Sequence, residues 1–273
     1  MTTIDPRALA HELAAAYADC RTDVTPPSSL DSRFNLDTAY TVQAAVTRLR
    51  RSEGRTTVGW KVGYANQALW PALKLDTLAW APMYDNTVQY AEEGQASLSK
   101  SGRCSPQIEP EVVVKLKAPI ESSEPAAVLE SVEWLAIGFE IKDCVYTDWK
   151  FQPADFVASF GLHSALIVGE PCAVQSADIA GLTEQLAKFR IQLRRNNRIV
   201  EERSGRHALR SPAFVIAELA AAMSRRPGDD ELKAGDLIST GTLTSSQPIA
   251  AGQTWHAIVD GIDLPPLKVH VTP

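Results

Sequence analysis

Apolar residues recur at helical spacing over the first fifth of the chain and at alternating spacing over most of the rest. Asp5-Pro6 opens the first helix, with Asp as N-cap and Pro at the first helical position. Leu9, Leu13 and Ala16 or Tyr17 then fall on one face up to about Cys20. Residues 22–35 contain Thr25-Pro26-Pro27-Ser28-Ser29 and read as a loop. A second helix is predicted over residues 37–53, with Ala39, Tyr40, Val46 and Leu49 near helical spacing and Gly54 as its stop.

Beyond Gly54 the period shortens. Val58-Gly59-Trp60-Lys61-Val62-Gly63-Tyr64 predicts a short strand, and residues 65–103 an irregular stretch with a short helix at Gln67–Leu69 and a strand near residues 87–90. A strand follows Glu111 to about Leu116, and a capped helix lies within residues 121–133. Residues 134–146 alternate, with Ile137, Phe139 and Ile141 on one face and Gly138, Glu140 and Lys142 on the other. Residues 158–168 give a further apolar strand, and residues 178–188 are open between helix and loop. Asn196-Asn197 sits between two short strands as a hairpin turn with positive φ. Ser211-Pro212 starts a helix to about Arg225, and the last third is β, with strands at 236–239, 254–259 and 267–271. Helices first, then a β-rich body with helices inserted, is an α+β order.

Composition narrows the function classes. The chain has 273 residues, 45% hydrophobic and 22% charged, as in soluble globular proteins. No apolar run approaches the roughly 20 residues that span a bilayer, and Met1-Thr2-Thr3-Ile4-Asp5-Pro6 has no basic segment leading into an apolar one. The four cysteines, Cys20, Cys104, Cys144 and Cys172, form no C-x-x-C pair and read as reduced thiols of a cytoplasmic protein. A net charge of −6 argues against a nucleic-acid partner. Arg48-Leu49-Arg50-Arg51 and Arg194-Arg195 read as solvated faces.

Three places carry candidate chemistry. In Pro106-Gln107-Ile108-Glu109-Pro110-Glu111 two carboxylates two residues apart share one strand face, a pair of hard oxygen ligands for Mg²⁺ or Mn²⁺. A Glu-x-Glu also arises about once by chance in a chain of this size, as a solvated strand end. Pro110 has no N–H and suits a strand start or an edge. Glu140 is a lone acid on an apolar strand, costly to bury unless paired or metal-bound. Lys61, between glycines and aromatics, is either a partly desolvated acid/base or a snorkelling surface lysine.

Gly59-Trp60-Lys61-Val62-Gly63, Glu109-Pro110-Glu111, Gly138-Phe139-Glu140-Ile141, Asp148-Trp149-Lys150 and Gly235-Asp236-Leu237-Ile238-Ser239-Thr240-Gly241 follow one another in a familiar order. With them the chain resembles the 2-keto-4-pentenoate hydratase / 4-oxalocrotonate decarboxylase group of the fumarylacetoacetate hydrolase superfamily. The resemblance runs from Ala39-Tyr40-Thr41-Val42-Gln43 to the last strand. It implies a mixed β-roll core with a helical N-terminal lobe, divided here as 1–80 and 81–273 of one continuous folding unit. It implies a divalent metal, Mg²⁺ or Mn²⁺, on Glu109, Glu111 and Glu140, with Lys61 on the family's lysine and Asp85 matching the acid after the N-terminal lobe. A homo-oligomer and a place in aromatic catabolism are implied as well. The family's polar stretch after Asp-Trp-Lys is here Ser159-Phe160-Gly161-Leu162-His163-Ser164, which places Phe160 and Leu162 where polar groups would face the substrate. The stretch before the Pro-led helix likewise departs, reading Gly205-Arg206-His207-Ala208-Leu209. His163 is then either a second acid/base, with an intrinsic pKa of about 6.5, or a histidine hydrogen-bonded in the core.

The chemistry implied is a lyase acting on a 2-oxo acid through a metal-stabilised enolate, hydratase-type in the leading reading. Lys61 serves as its proton shuttle or carboxylate partner. A decarboxylase, a C–C hydrolase of an acylpyruvate and a partner subunit without turnover are the alternatives. The expected partner is a small-molecule 2-oxo acid, with no nucleic acid and no membrane.

Overall fold

The structure, a computed structural model, describes residues 4–226 and 230–273. Three helices open the chain: α1 (Pro6–Ala18), α2 (Pro27–Leu30) and α3 (Leu36–Ser52). Asp5 caps α1 by accepting from the Arg7 amide, and Asn35 caps α3 by accepting from the Thr38 amide. Then come β1 (Thr57–Gly63), α4 (Trp70–Leu73), β2 (Ala79–Tyr84), β3 (Val88–Tyr90), β4 (Gln95–Ser99), β5 (Gln107–Leu116), α5 (Pro125–Glu130) and β6 (Val132–Lys142). The second half holds α6 (Pro153–Ala158), β7 (His163–Val168), β8 (Cys172–Ala173), α7 (Ile179–Lys188), β9 (Arg190–Arg195), β10 (Arg198–Ser204) and α8 (Pro212–Arg225). It ends with β11 (Leu237–Ser239), β12 (Gln247–Pro248), β13 (Thr254–Asp260) and β14 (Leu267–Thr272).

Two mixed sheets form the body. The larger runs β2-β1-β11-β5-β6-β7-β3, with β12 beside β5 and β8 beside β6; the smaller runs β10-β9-β13-β14-β4. The pairs β1/β11, β3/β7 and β4/β14 are parallel. Alternation along β5 and β6 sends Ile108, Val112, Val114, Ile137, Phe139 and Ile141 into the main core. That core also holds Leu193, Trp255 and Val269 of the smaller sheet and Val215 and Leu219 of α8. On the other face of the larger sheet, Met83, Val113, Ala136, Leu166 and Leu237 make a small apolar patch beside the acidic residues. Leu13 of α1 and Val42 and Val46 of α3 pack with Phe156 of α6 and with Phe160 and Leu162 in a third cluster.

Several expectations change. Residues 65–103 are not irregular: they contain α4, β2 and β4 as well as the foreseen 3-10 turn at Gln67–Leu69 and strand β3. Every residue of β2 is buried, so it lacks the alternation by which a one-sided strand is recognised. Strand β4 is the opposite case, mostly exposed, with only Leu98 buried. The stretch 22–35 carries the four-residue α2, and residues 153–158 form α6, all of it buried and too short to show a polar face. Residues 178–188 resolve as helix. Pro110 is neither at a strand start nor at a sheet edge but fourth in β5. Its carbonyl accepts from the Leu243 amide at 3.2 Å, away from β6. The missing N–H faces the same way, into the gap between the short partners β12 and β11, so no ladder bond is lost. A division at residue 80 falls inside β2, and β1 already belongs to the larger sheet, because Lys61 pairs with Ser239 and Ala81.

Of the glycines in this sheet, Gly59 leaves the least room: a Cβ there would stand 2.0 Å from the Leu237 carbonyl oxygen of β11. Backbone cannot yield as a side chain does. The substitution Gly59→Ala is expected to cost about 2–3 kcal/mol of stability, read as a lower urea midpoint with an unchanged m-value.

Candidate active site

Register explains how three acids meet. Glu109 stands directly across from Glu140 in the β5–β6 ladder, and Glu111 across from Gly138, so all three carboxylates project from one face. One oxygen from each lies within 4.8 Å of the other two, and all three residues are buried. At that spacing each like-charged pair repels by about 3 kcal/mol at an effective dielectric near 20. Three such pairs would rival the whole stability of a domain, about 5–15 kcal/mol. Cations or protons have to offset them.

The protein supplies two ammonium groups. Lys61, 1% exposed, places Nζ 3.0 Å from Glu140 Oε2 and donates to the Gly161 carbonyl at 3.0 Å. The Glu140 contact is an ion pair out of line for a hydrogen bond. Lys142, at the end of β6, places Nζ 2.7 Å from Glu109 Oε1, which also accepts from Ser246 Oγ. Burial alone would push Glu140 up, but Lys61 and His163 outweigh it and hold its carboxyl down to about 2. Burial would likewise push Lys142 down, and Glu109 outweighs that, leaving it above its ordinary value.

Glu111 is left uncompensated. Its Oε2 accepts from Ser239 Oγ and from the Gly241 amide at 2.8 Å. Among the described residues, its Oε1 has no hydrogen-bond partner. Burial first, then the charges of Glu140 and Glu109, push its carboxyl well above the usual range. A carboxylate with an unpartnered oxygen in a cluster of hard oxygen donors is an environment that a divalent cation such as Mg²⁺ matches. The donor set fits that ion and lacks the thiols or imidazoles of a zinc site.

Of the six residues singled out by sequence, five come together. His163, buried, is 3.2 Å from Glu140 Oε1 through Nδ1 and 2.9 Å from Thr87 Oγ1 through Nε2. Asp85 does not join them. It is exposed in the turn after β2, where Oδ1 accepts from the Thr56 amide at 3.2 Å. Thr87, two residues on, is the one from this turn that reaches the site. Phe160 and Leu162 turn into the helical cluster, with Phe160 5.2 Å from the Tyr17 ring, so this stretch offers Lys61 a backbone carbonyl. Residues 160–162 all have positive φ, and a Cβ on Gly161 would meet Lys61 Cδ at 2.8 Å. Asp155 anchors the segment by accepting from Ser28 and from the Gln152 amide.

Sequence reasoning missed Lys142, Thr87, Ser239, Gly241 and Ser246. Lys142 had a signal, lying on the Glu140 face two residues away. Ser239 and Gly241 belong to a motif that had been noticed without a role. Thr87 and Ser246 had none, because only strand pairing and loop closure bring them in.

Fold and site define a mixed-sheet α+β protein with a buried tricarboxylate centre. Residues 85–271 match the model of the fumarylacetoacetate (FAA) hydrolase C-terminal family, and the chain belongs to that family. It is 26% identical over 252 residues to a 2-hydroxyhexa-2,4-dienoate hydratase of Comamonas testosteroni, covering 92% of each chain. It is 28% identical to a 2-keto-4-pentenoate hydratase of Dechloromonas aromatica (strain RCB), covering 94% of each. Its fold matches the 4-oxalocrotonate decarboxylase of Pseudomonas putida G7, solved with magnesium and adipate. That match has a TM-score of 0.86 at 23% identity and covers 99% of this chain and 100% of that one.

A pH signature follows from Glu111. With its folded pKa raised, the metal-free native state keeps a proton that the unfolded chain has released, so stability falls as pH rises above the ordinary carboxylate range. Glu140 acts in a lower window, its contribution being lost only as pH falls toward 2. The urea midpoint of metal-free protein is expected to decline as pH rises from about 5. Glu111→Gln should flatten that decline, raise the metal-free melting temperature by about 3 °C or more, and remove any shift on adding Mg²⁺.

Proposed function

We propose that this chain is a divalent-metal-dependent lyase that adds water to an unsaturated 2-oxo acid by way of an enolate, with Glu109, Glu111 and Glu140 as the ligands of Mg²⁺ or Mn²⁺. The observation that carries the reading is the convergence of these three buried carboxylates, one oxygen of each within 4.8 Å of the others, with Lys61 beside Glu140. Relatives named as hydratases that match over nine-tenths of the chain support it.

A bound Mg²⁺ would supply a Lewis acid for the keto and carboxylate oxygens of the substrate. The protein's own residues do the rest. Ser239 and the Gly241 amide fix Glu111 through Oε2 and leave Oε1 to the ion. Lys61 is held between Glu140 and the Gly161 carbonyl, with the Phe156 ring 4.9 Å away, which excludes water, and only the Gly161 carbonyl takes one of its three ammonium protons in a hydrogen bond. It is the proton carrier toward the enolate carbon. His163 spends both ring nitrogens on Glu140 and Thr87, so it positions Glu140 and does not itself meet the substrate. Asp85 has no contact with this group and takes no part.

The small-molecule partner is therefore a 2-oxo acid. We also read the protein as a cytoplasmic homo-oligomer of aromatic catabolism, which the family resemblance supports and light scattering tests for assembly. Among the described residues no helix is long and apolar enough to cross a membrane.

Mg²⁺-loaded protein, incubated with a panel of unsaturated 2-oxo acids, should yield products heavier by one water, read by mass spectrometry. Loss of carbon dioxide would make it a decarboxylase, two fragments a C–C hydrolase, and no product from any acid a binding subunit. Lys61→Met should lower turnover by about a hundredfold or more while Mg²⁺ affinity, measured by calorimetry, changes little. Equal loss of both would reduce Lys61 to a structural support.

A further inference from the structure

Lys142 is the charged group at this centre that the proposed reaction does not use. It closes β6 on the same strand face as Glu140, and its Nζ is 2.7 Å from Glu109 Oε1. Its side chain is 16% exposed, against 2% for Lys61, so the two ammonium groups stand at the open and the closed side of one carboxylate cluster. Lys142 Nζ also lies 5.5 Å from the centroid of the Trp149 ring. Trp149 is held in turn: its Nε1 donates to Ser105 Oγ at 2.9 Å, and the Ser105 amide donates to Asp143 Oδ1 at 2.6 Å. A long, flexible lysine is thus confined by an aromatic wall and an acid, which an ordinary surface lysine is not.

Glu109 is the ion-pair partner of Lys142, and it is also a proposed metal ligand. Once Glu109 shares its charge with a divalent ion, its hold on the ammonium weakens and positive charge accumulates at the open side. An anion bound there is favoured by both. Resting on the 2-oxo-acid reading above, we propose that Lys142 binds a carboxylate of the substrate and so sets its affinity and selectivity. That carboxylate is either the one next to the keto group or a second one at the far end of a dicarboxylic substrate. The chemistry is the same; the position is what an experiment separates.

Calorimetric titration of Mg²⁺-loaded protein with pyruvate, which has only the first carboxylate, and with 2-oxoglutarate, which has both, makes the test. Lys142→Met should weaken binding about tenfold or more, the size of one charge-assisted hydrogen bond, and Lys142→Arg should keep most of it. Loss for both acids places Lys142 on the carboxylate beside the keto group; loss for 2-oxoglutarate alone places it on the distal one. If Lys142→Met binds both acids as tightly as the wild type and alters only Mg²⁺ affinity, Lys142 is a counter-ion of Glu109 and the proposal is wrong. Wild-type protein that binds Mg²⁺ but neither acid would instead remove the 2-oxo-acid reading, a failure visible before any variant is made. Should Lys142→Met unfold, Lys142→Gln, which keeps a polar end, carries the same comparison.

Discussion

Everything at this centre depends on one pairing: Glu109 opposite Glu140 in the β5–β6 ladder, with Glu111 two residues along the same face. The ladder keeps one register from Gln107 to Lys115 and packs its other face into the main core, so the acids cannot move apart to relieve their repulsion. Apolar burial on one face of the ladder thereby holds like charges together on the other. Lys61 and Lys142 offset part of that cost, and among the described residues Glu111 keeps an oxygen without a hydrogen-bond partner. A structure that tolerates such a group forgoes stability at this centre.

The surroundings divide into a fixed and an adaptable half. Lys61, Glu140, His163 and Thr87 form a chain of contacts, buried except for the half-buried Thr87 and anchored to four different strands or turns. Glu109, Lys142, Ser246 and Trp149 form the outer half, where exposure rises and contacts come from loops. The inner half is thereby fixed by buried contacts, while the outer half, contacted from loops, has more freedom to vary. Phe160 and Leu162 belong to neither half, since both side chains leave for the helical cluster and only the Gly161 carbonyl remains at the site.

Much of this was legible along the chain because it depends on short-range rules. Period-2 alternation put Glu109 with Glu111, and Glu140 opposite the apolar face of its strand. Capping chemistry located α1 and α8, and Asn196-Asn197 turned the β9–β10 hairpin with φ of 48° and 66°. Where alternation is absent the reading failed, as in β2, buried on both faces, and in α6, which has no polar side. Asp85 looked like a site acid by its place in the order of motifs, yet its carboxylate accepts from the Thr56 amide just before β1.

The sequence by itself determined which residues could bind a hard cation and which strand faces they occupy, because both follow from side-chain chemistry and backbone period. Only the tertiary structure decided that β5 and β6 pair in the register that sets Glu109 against Glu140. It also decided that β1 and β11 bring Lys61 and Ser239 to the same face, and that Lys142 closes the open side. Register and strand order arise from packing summed over the whole sheet, so no local stretch encodes them.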